Sequence, residues 1–266
     1  MILIQRRKKI LELLRDNGSV SVSALSELFS VSEETIRRDL QKMEEEGLLK
    51  RAYGGAFLGD VVRQDVPISI RRNTYREGKC RIGRVCAEMI NNGDTIMLDS
   101  SSTALRIASE IKGKSNLIVI TNSLDILVEV ANSPEIHVIS TGGDLDNASL
   151  SFTGMTAIEN LAKFNVDKAF VSCTGVSLRE GITDSSEMQA YIRKRMLESA
   201  QKRIFIADRT KFGKITLTKI ADLSGVDVVV TDQPLPDEWV SAFSGLGVQM
   251  RYPEPGAEAE QEEDNE

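Results

Sequence analysis

From Thr95 onward one texture recurs along the chain. Short apolar runs stand at Thr95-Ile96-Met97-Leu98, Leu117-Ile118-Val119-Ile120, Ile136-His137-Val138-Ile139, Lys168-Ala169-Phe170-Val171, Ile204-Phe205-Ile206-Ala207 and Val226 to Val230. They are too short for helices and apolar at consecutive positions, so both of their faces are expected to be buried. Amphipathic stretches such as Ala104 to Ile111 and Leu124 to Ala131 lie between them and read as helices. This alternation predicts an α/β fold: a mostly parallel sheet covered by helices on both sides.

Each run ends in small polar residues, the first in Asp99-Ser100-Ser101-Ser102-Thr103. Thr121-Asn122-Ser123, Ser140-Thr141-Gly142-Gly143, Ser172-Cys173-Thr174-Gly175, Asp208 and Thr231-Asp232 follow the others. In such sheets ligands bind at the carboxyl edge. A Ser/Thr-rich loop that opens a helix offers hydroxyls and free N–H groups, a natural cradle for phosphate. Taken alone, Asp99–Thr103 also fits an ordinary N-cap cluster. Thr121-Asn122 and Gly142-Gly143 at equivalent places argue for a shared site. Neither a Walker loop nor a Gly-x-Gly-x-x-Gly fingerprint is present, which weakens nucleoside triphosphate and dinucleotide readings, and no cofactor is expected.

The amino-terminal part differs. Arg6 to Asp16 has Ile10, Leu13 and Leu14 at helical spacing, with Asn17-Gly18 as a stop. Ala24 to Phe29 is a second short helix. Ser32 caps a third, with Glu33 and Glu34 in its first turn and Ile36, Leu40 and Met43 on one face. Arg38 and Gln41 point the opposite way, with Arg37 and Lys42 on the flanks. A polar, arginine-bearing face suits a helix in the major groove of DNA, although alone it fits a solvated surface helix as well. Leu48 to Tyr53 and Ala56 to Leu58 read as two strands joined through Gly54-Gly55, a wing in which Lys50, Arg51 and Tyr53 reach phosphates. Asp39, at the edge of the buried stripe, reads as the partner of a nearby arginine.

Charge and cysteines narrow the function. Net charge is −7, but Met1 to Leu58 holds 10 Lys and Arg against 9 Asp and Glu, and six acids crowd the last twelve residues. DNA affinity must therefore come from local placement of basic groups and from oligomerisation. Cys80, Cys86 and Cys173 lack paired spacing and fit free thiols. The single His137, inside an apparent strand, reads as a satisfied structural residue, so triads and histidine-rich metal sites are nearly excluded and no metal is expected. No apolar run approaches a membrane span, and the basic cluster at Arg6 to Lys9 follows rather than precedes the apolar residues, the reverse of a secretory signal. The expected location is cytoplasmic.

Thr35-Ile36-Arg37-Arg38-Asp39-Leu40, then Glu46-Gly47-Leu48-Leu49-Lys50-Arg51 and Gly54-Gly55-Ala56, resemble the DNA-binding signature of the DeoR family of bacterial transcriptional regulators. The Asp99–Thr103 loop, Thr121-Asn122-Ser123, Gly142-Gly143, Gly175, Gly181-Ile182-Thr183-Asp184 and Lys211-Phe212-Gly213 resemble that family's sensor domain, which is similar in fold to ribose-5-phosphate isomerase and the CoA transferases. The Pro, Gly, Ala and acid-rich composition of 253–266 reads as an acidic disordered tail. The resemblance implies a winged helix-turn-helix over 1–58 and a sensor domain over 76–252, joined by a linker over 59–75. It implies that Ser32, Thr35, Arg37, Arg38, Gln41, Lys42, Lys50 and Arg51 face DNA, with Arg38 on a base. It further implies that Ser100 to Thr103 hold the phosphate of a sugar, and that Asp99, Thr121, Asn122, Glu187 and Lys211 meet the rest, while Gly142, Gly143, Gly154 and Gly175 let backbone approach. The partners expected are operator DNA, a phosphorylated sugar effector and further copies of the chain, with no membrane. The function expected is repression of a carbohydrate-utilisation operon. The competing reading is a sugar-phosphate isomerase or CoA-transferase relative with a DNA-binding module, with Glu187, Asp99 and Asp184 as bases. Cys173-Thr174 stands where such an isomerase would carry an acid, which weighs against it.

Overall fold

The computed structural model describes residues 3–17, 19–52, 54–57, 68–73 and 75–254. Gly18, Tyr53 and Leu58, residues 59–67 of the expected linker and residues 255–266 of the expected tail lie outside the described residues. The chain divides into two compact units, Met1–Arg76 and Glu77–Glu266.

The first unit holds helices α1 (Leu3–Asn17), α2 (Val22–Phe29) and α3 (Glu33–Glu45), with strands β1 (Ser19–Ser21), β2 (Lys50–Ala52) and β3 (Gly55–Phe57). The hydroxyl of Ser21 accepts the Ala24 N–H, so α2 starts at Val22, two residues earlier than the sequence spacing suggests. Ser32 caps α3 as expected. Ile10 and Leu14 of α1, Leu25 and Phe29 of α2, and Ile36, Leu40 and Met43 of α3 share one core. The wing is a three-stranded antiparallel sheet of order β1-β3-β2, because β1 joins the expected hairpin. Part of the stretch expected as linker is α4 (Ile68–Asn73), and Ile68 is buried.

The second unit begins with α5 (Arg76–Glu88). Two strand–helix steps and a third strand follow: β4 (Thr95–Leu98), α6 (Ser102–Glu110), β5 (Leu117–Thr121), α7 (Leu124–Val130) and β6 (Ile136–Ser140). Then come a hairpin of β7 (Asp144–Asp146) and β8 (Ser151–Thr153), α8 (Gly154–Leu161), β9 (Val166–Val171), β10 (Gly175–Ser177), β11 (Gly181–Asp184) and α9 (Glu187–Glu198). The unit closes with β12 (Ala200–Ile206), β13 (Thr218–Ala221), β14 (Val228–Val230), α10 (Asp237–Gly245) and β15 (Gln249–Arg251).

Seven strands form one sheet of order β15-β14-β12-β9-β4-β5-β6, with every neighbouring pair parallel. The apolar runs behave as their composition demands. Ile96 and Leu98, Phe170, Ile204 and Ile206 pack into one core, while Met97, Ala169, Val171 and Phe205 point into the other. Both faces of the sheet are therefore covered. Two features depart from the sequence reading. β10, β11 and β13 make a separate antiparallel sheet. His137 is exposed on β6, an edge strand, and is no core histidine. Among the described residues, no helix is long and apolar enough to cross a membrane.

The strand order fixes where a ligand can sit. The chain lays down β4, β5 and β6 outward in one direction, returns to place β9 beside β4, and continues outward through β12, β14 and β15. The order reverses between β4 and β9, and the crevice beyond their carboxyl ends is the switch point at which such sheets bind ligands.

Candidate functional site

In the first unit the outer face of α3 carries its polar groups in a frame of short tethers. The Ser32 hydroxyl accepts the Thr35 N–H at 3.3 Å and shares a hydrogen bond with the Thr35 hydroxyl at 2.9 Å. Arg37 pairs with Glu33, and Arg38 Nε lies 3.3 Å from Glu34 Oε1. Gln41 Nε2 donates to Glu45 Oε1 at 3.1 Å. Lys42 and Lys50 are exposed and make no side-chain pair among the described residues. Glu44, which sequence reasoning passed over, ties the wing to the helix: its carboxylate accepts the Arg51 N–H at 2.8 Å. From behind, Arg6 Nε of α1 donates to the buried carboxylate of Asp39 at 2.5 Å, so Asp39 does pair with an arginine. Arg7 reaches Glu46 at 2.9 Å. Two arginines of α1 thus fix the pose of α3, leaving Arg37, Arg38, Gln41 and Lys42 toward solvent.

In the second unit the crevice at β4 and β9 is lined by buried polar side chains. Asp99, at the end of β4, is 1% exposed. Its Oδ1 accepts the Ser101 N–H at 3.1 Å, and its Oδ2 accepts the Ser172 N–H at 2.9 Å and Arg193 Nε at 2.7 Å. Arg193 also binds Asp184, which in turn accepts the Thr174 hydroxyl at 3.2 Å. Burial alone would lower the pKa of this guanidinium, but the carboxylates of Asp184 and Asp99 outweigh it and hold the value above the ordinary arginine range. Gln189, one turn earlier on α9, accepts the Ser100 hydroxyl at 3.0 Å and donates to the Ser151 hydroxyl at 2.7 Å. Adjacent turns of α9 therefore grip adjacent residues of the serine loop. Spacing of four explains why both face inward. Burial pushes the Cys173 thiol up, with the Lys211 ammonium pulling the other way.

The expected ligand residues fall into three groups. Ser102 and Thr103 open α6, and neither hydroxyl has a partner among the described residues. Asn122 is fully buried; its Nδ2 donates to the Phe152 carbonyl at 3.1 Å, while its Oδ1 has no hydrogen-bond partner. Lys211 is half-buried with no ion pair or side-chain hydrogen bond among the described residues. These groups are open to a ligand. Asp99, Ser100, Ser101 and Thr121 belong to the frame. Ser101 caps Ala104 at 3.0 Å, and Thr121 donates to the Leu98 carbonyl at 2.7 Å while accepting the Ser123 N–H at 3.0 Å. Gly142 turns the chain, whereas a Cβ at Gly143 would collide with the Thr153 carbonyl, one at Gly154 would crowd Asp144, and one at Gly175 would lie 2.8 Å from the Lys214 carbonyl. Glu187 is a correction: it is exposed on the outer side of α9, where it accepts the Tyr191 hydroxyl at 3.1 Å, because four residues separate it from Tyr191 and only two from Gln189. Arg193 does not pair with it. Gln189 and Arg193 are the residues that sequence reasoning missed. Their signal was a polar pair at helical spacing in phase with the buried Met196 and Leu197.

Comparison with known proteins decides the family. The model of the DeoR-like helix-turn-helix domain matches residues 6–60, and that of the DeoR C-terminal sensor domain matches residues 74–233. The chain belongs to the DeoR family. An uncharacterized HTH-type transcriptional regulator of Bacillus subtilis, YulB, is 40% identical over 94% of this chain and 96% of its own length. The glycerol-3-phosphate regulon repressor of Escherichia coli is 31% identical over 92% and 97%. Among solved structures, ribose 5-phosphate isomerase A of Methanocaldococcus jannaschii aligns with 52% of this chain and 55% of its own, at 15% identity and a TM-score of 0.39, too slight an overlap to bear on activity. This DeoR-family chain is thus a helix-turn-helix transcriptional regulator with a sensor domain, and its similar relatives are named as regulators rather than enzymes.

Proposed function

We propose that this regulator is a cytoplasmic repressor of a carbohydrate-utilisation operon, acting as a homo-oligomer whose operator binding is set by a phosphorylated sugar. The carrying observation is the polarity of the switch-point crevice. Its open groups are the α6 N-terminus with the unpartnered Ser102 and Thr103 hydroxyls, the unpaired Lys211 ammonium and the side-chain amide oxygen Oδ1 of Asn122. Helix N–H groups and an ammonium favour a phosphate, and an orphaned acceptor favours a hydroxyl. The carboxylates that an isomerase would need as a base, Asp99 and Asp184, are occupied by Arg193 and by backbone N–H groups, which supports binding without turnover. A relative named for a glycerol-3-phosphate regulon is in keeping with this reading. On the DNA side, Arg38 and Gln41 are assigned to base edges, and Ser32, Thr35, Arg37, Lys42, Lys50 and Arg51 to phosphates.

The test is a gel shift on the DNA upstream of the protein's own gene, at fixed salt, titrated with ribose 5-phosphate, fructose 6-phosphate and sn-glycerol 3-phosphate. At least one is expected to change operator affinity, and none to be converted. Turnover of any of the three, or DNA binding indifferent to all of them, overturns the reading.

A further inference from the structure

Lys211 lies near enough to Cys173, in the loop after β9, for its charge to act on that thiol, and it also heads a line of contacts that leads away from there. It closes a short 3-10 turn, Arg209–Lys211. That turn hangs from the loop after β14: the Arg209 N–H donates to Asp232 Oδ1 at 2.7 Å, and Arg209 Nη1 donates to Gln233 Oε1 at 2.6 Å. Asp232 is only 5% exposed. Its second oxygen faces α5. Arg81 Nη2 lies 4.0 Å from Oδ2, and a Cβ built on Gly78 would come within 3.1 Å of the same oxygen. The first turns of α5 therefore rest on the carboxylate that holds the Lys211 turn. Helix α5 begins at Arg76, the last residue of the first unit, so the chain enters the sensor through this helix.

We propose that Asp232 is a positioning residue that carries the state of the effector site to the start of α5. This rests on the reading of the crevice as the effector site. An anionic ligand draws the unpaired Lys211 ammonium toward it, and the turn bearing it moves with it, since one short backbone bond, Lys211 N–H to the Asp208 carbonyl at 3.0 Å, is what closes the turn. Asp232 is bound to that turn through Arg209 and cannot follow without changing its packing against Gly78 and Arg81. Packed interfaces respond to such pulls by switching arrangement, not by stretching. The ligand biases the switch only to the extent that it binds one arrangement better. Gly78 is part of the device: a methyl group there forces the carboxylate aside by a few tenths of an ångström.

The molecule carries its own reporter. Phe212, next to Lys211, packs edge-on against Trp239 with ring centroids 4.9 Å apart, and Trp239 is the single tryptophan of the chain. Its fluorescence reads occupancy of the crevice without reference to DNA. The experiment titrates the full chain with ribose 5-phosphate, fructose 6-phosphate and sn-glycerol 3-phosphate, reading Trp239 fluorescence and operator gel shift side by side. Asp232→Ala, Asp232→Asn and Gly78→Ala are compared with wild type, and thermal unfolding is recorded for each. Asp232→Ala and Gly78→Ala are expected to keep probe affinity within about threefold while losing roughly tenfold or more of the probe's effect on DNA binding. Asp232→Asn, which keeps an acceptor for the Arg209 N–H, is expected to recover part of the response. Alanine favours helix more than glycine does, so a Gly78→Ala protein that melts no lower yet fails to respond excludes simple unfolding, even where Asp232→Ala does not fold. A wild-type response to the probe in all three variants overturns the relay alone, as does a probe affinity that falls in step with the response, since Asp232 then serves binding. Silence of wild type to every probe in both readouts removes the effector reading and the relay with it.

Discussion

Arg38 and Asp39 are neighbours on α3 with opposite tasks. The Arg38 side chain is 76% exposed and, among the described residues, held only by Glu34, whereas Asp39 is buried against Arg6. An exposed pair of this kind contributes up to about 1 kcal/mol, so Arg38→Ala is expected to leave stability nearly unchanged. If the side chain meets a base edge, the same change removes about 1–3 kcal/mol of discrimination, read as a narrowed ratio between operator and scrambled DNA in a gel shift. An unchanged ratio would place the reading face elsewhere on the helix. Arg6→Ala acts in the opposite way. It leaves the Asp39 carboxylate buried without its partner, a change that costs about 3–5 kcal/mol, and the denaturation midpoint of the first unit should fall accordingly. The outward set was legible because a period of about 3.6 sorts residues onto faces. The identity of the Asp39 partner was not, because Arg6 lies 33 residues away in another helix.

Elements differ in how plainly the sequence announces them. Six of the seven strands of the large sheet were legible because its central strands are buried on both faces, so the apolar runs are continuous and need no knowledge of partners, whereas β15, a short and largely exposed edge strand, gave no such run. The β10-β11-β13 sheet was not legible, since its strands are three or four residues long and β13 joins the β10-β11 hairpin from a distant segment. Helix α9 shows the same limit for the site. Gln189 binds Ser100 and Ser151, which stand 89 and 38 residues earlier, and nothing local marks it as a brace. The serine loop was visible from its composition, yet the division between open hydroxyls and braced ones depends on these long-range bonds. Gln189→Ala leaves the buried hydroxyl of Ser100 without its partner, while that of Ser151 keeps Ser149, at about 1–3 kcal/mol, and should lower the melting temperature. Tyr191→Ala, on the exposed side of the same helix, is the control and should stay within about 0.5 kcal/mol. A loss at Gln189→Ala no larger than that at Tyr191→Ala would show that the grip on the serine loop does not set the stability of α9, since alanine raises helix propensity at both positions.

The whole molecule carries too little positive charge for one recognition helix to hold DNA. The first 58 residues are nearly balanced, and the acids of α3 sit beside its arginines. These tethers are weak enough for phosphates to displace, but each displacement returns part of the gain. In the homo-oligomer proposed above, affinity comes from joining modules. Two linked modules bind a paired site roughly 10²–10⁴ more tightly than either alone, provided both helices can dock at once. The geometry sets the spacing: recognition helices of a two-fold pair meet the same side of DNA one helical turn apart, about 10–10.5 base pairs between half-site centres, or a multiple of this. Erasing one half-site is therefore expected to lower affinity at fixed salt by about a hundredfold or more. Inserting five base pairs between the half-sites should do the same, because about half a helical turn carries the second site to the far side of the duplex. Retained affinity on a single half-site would mean that one helix suffices, and the acidic balance of the chain would then need another counterweight.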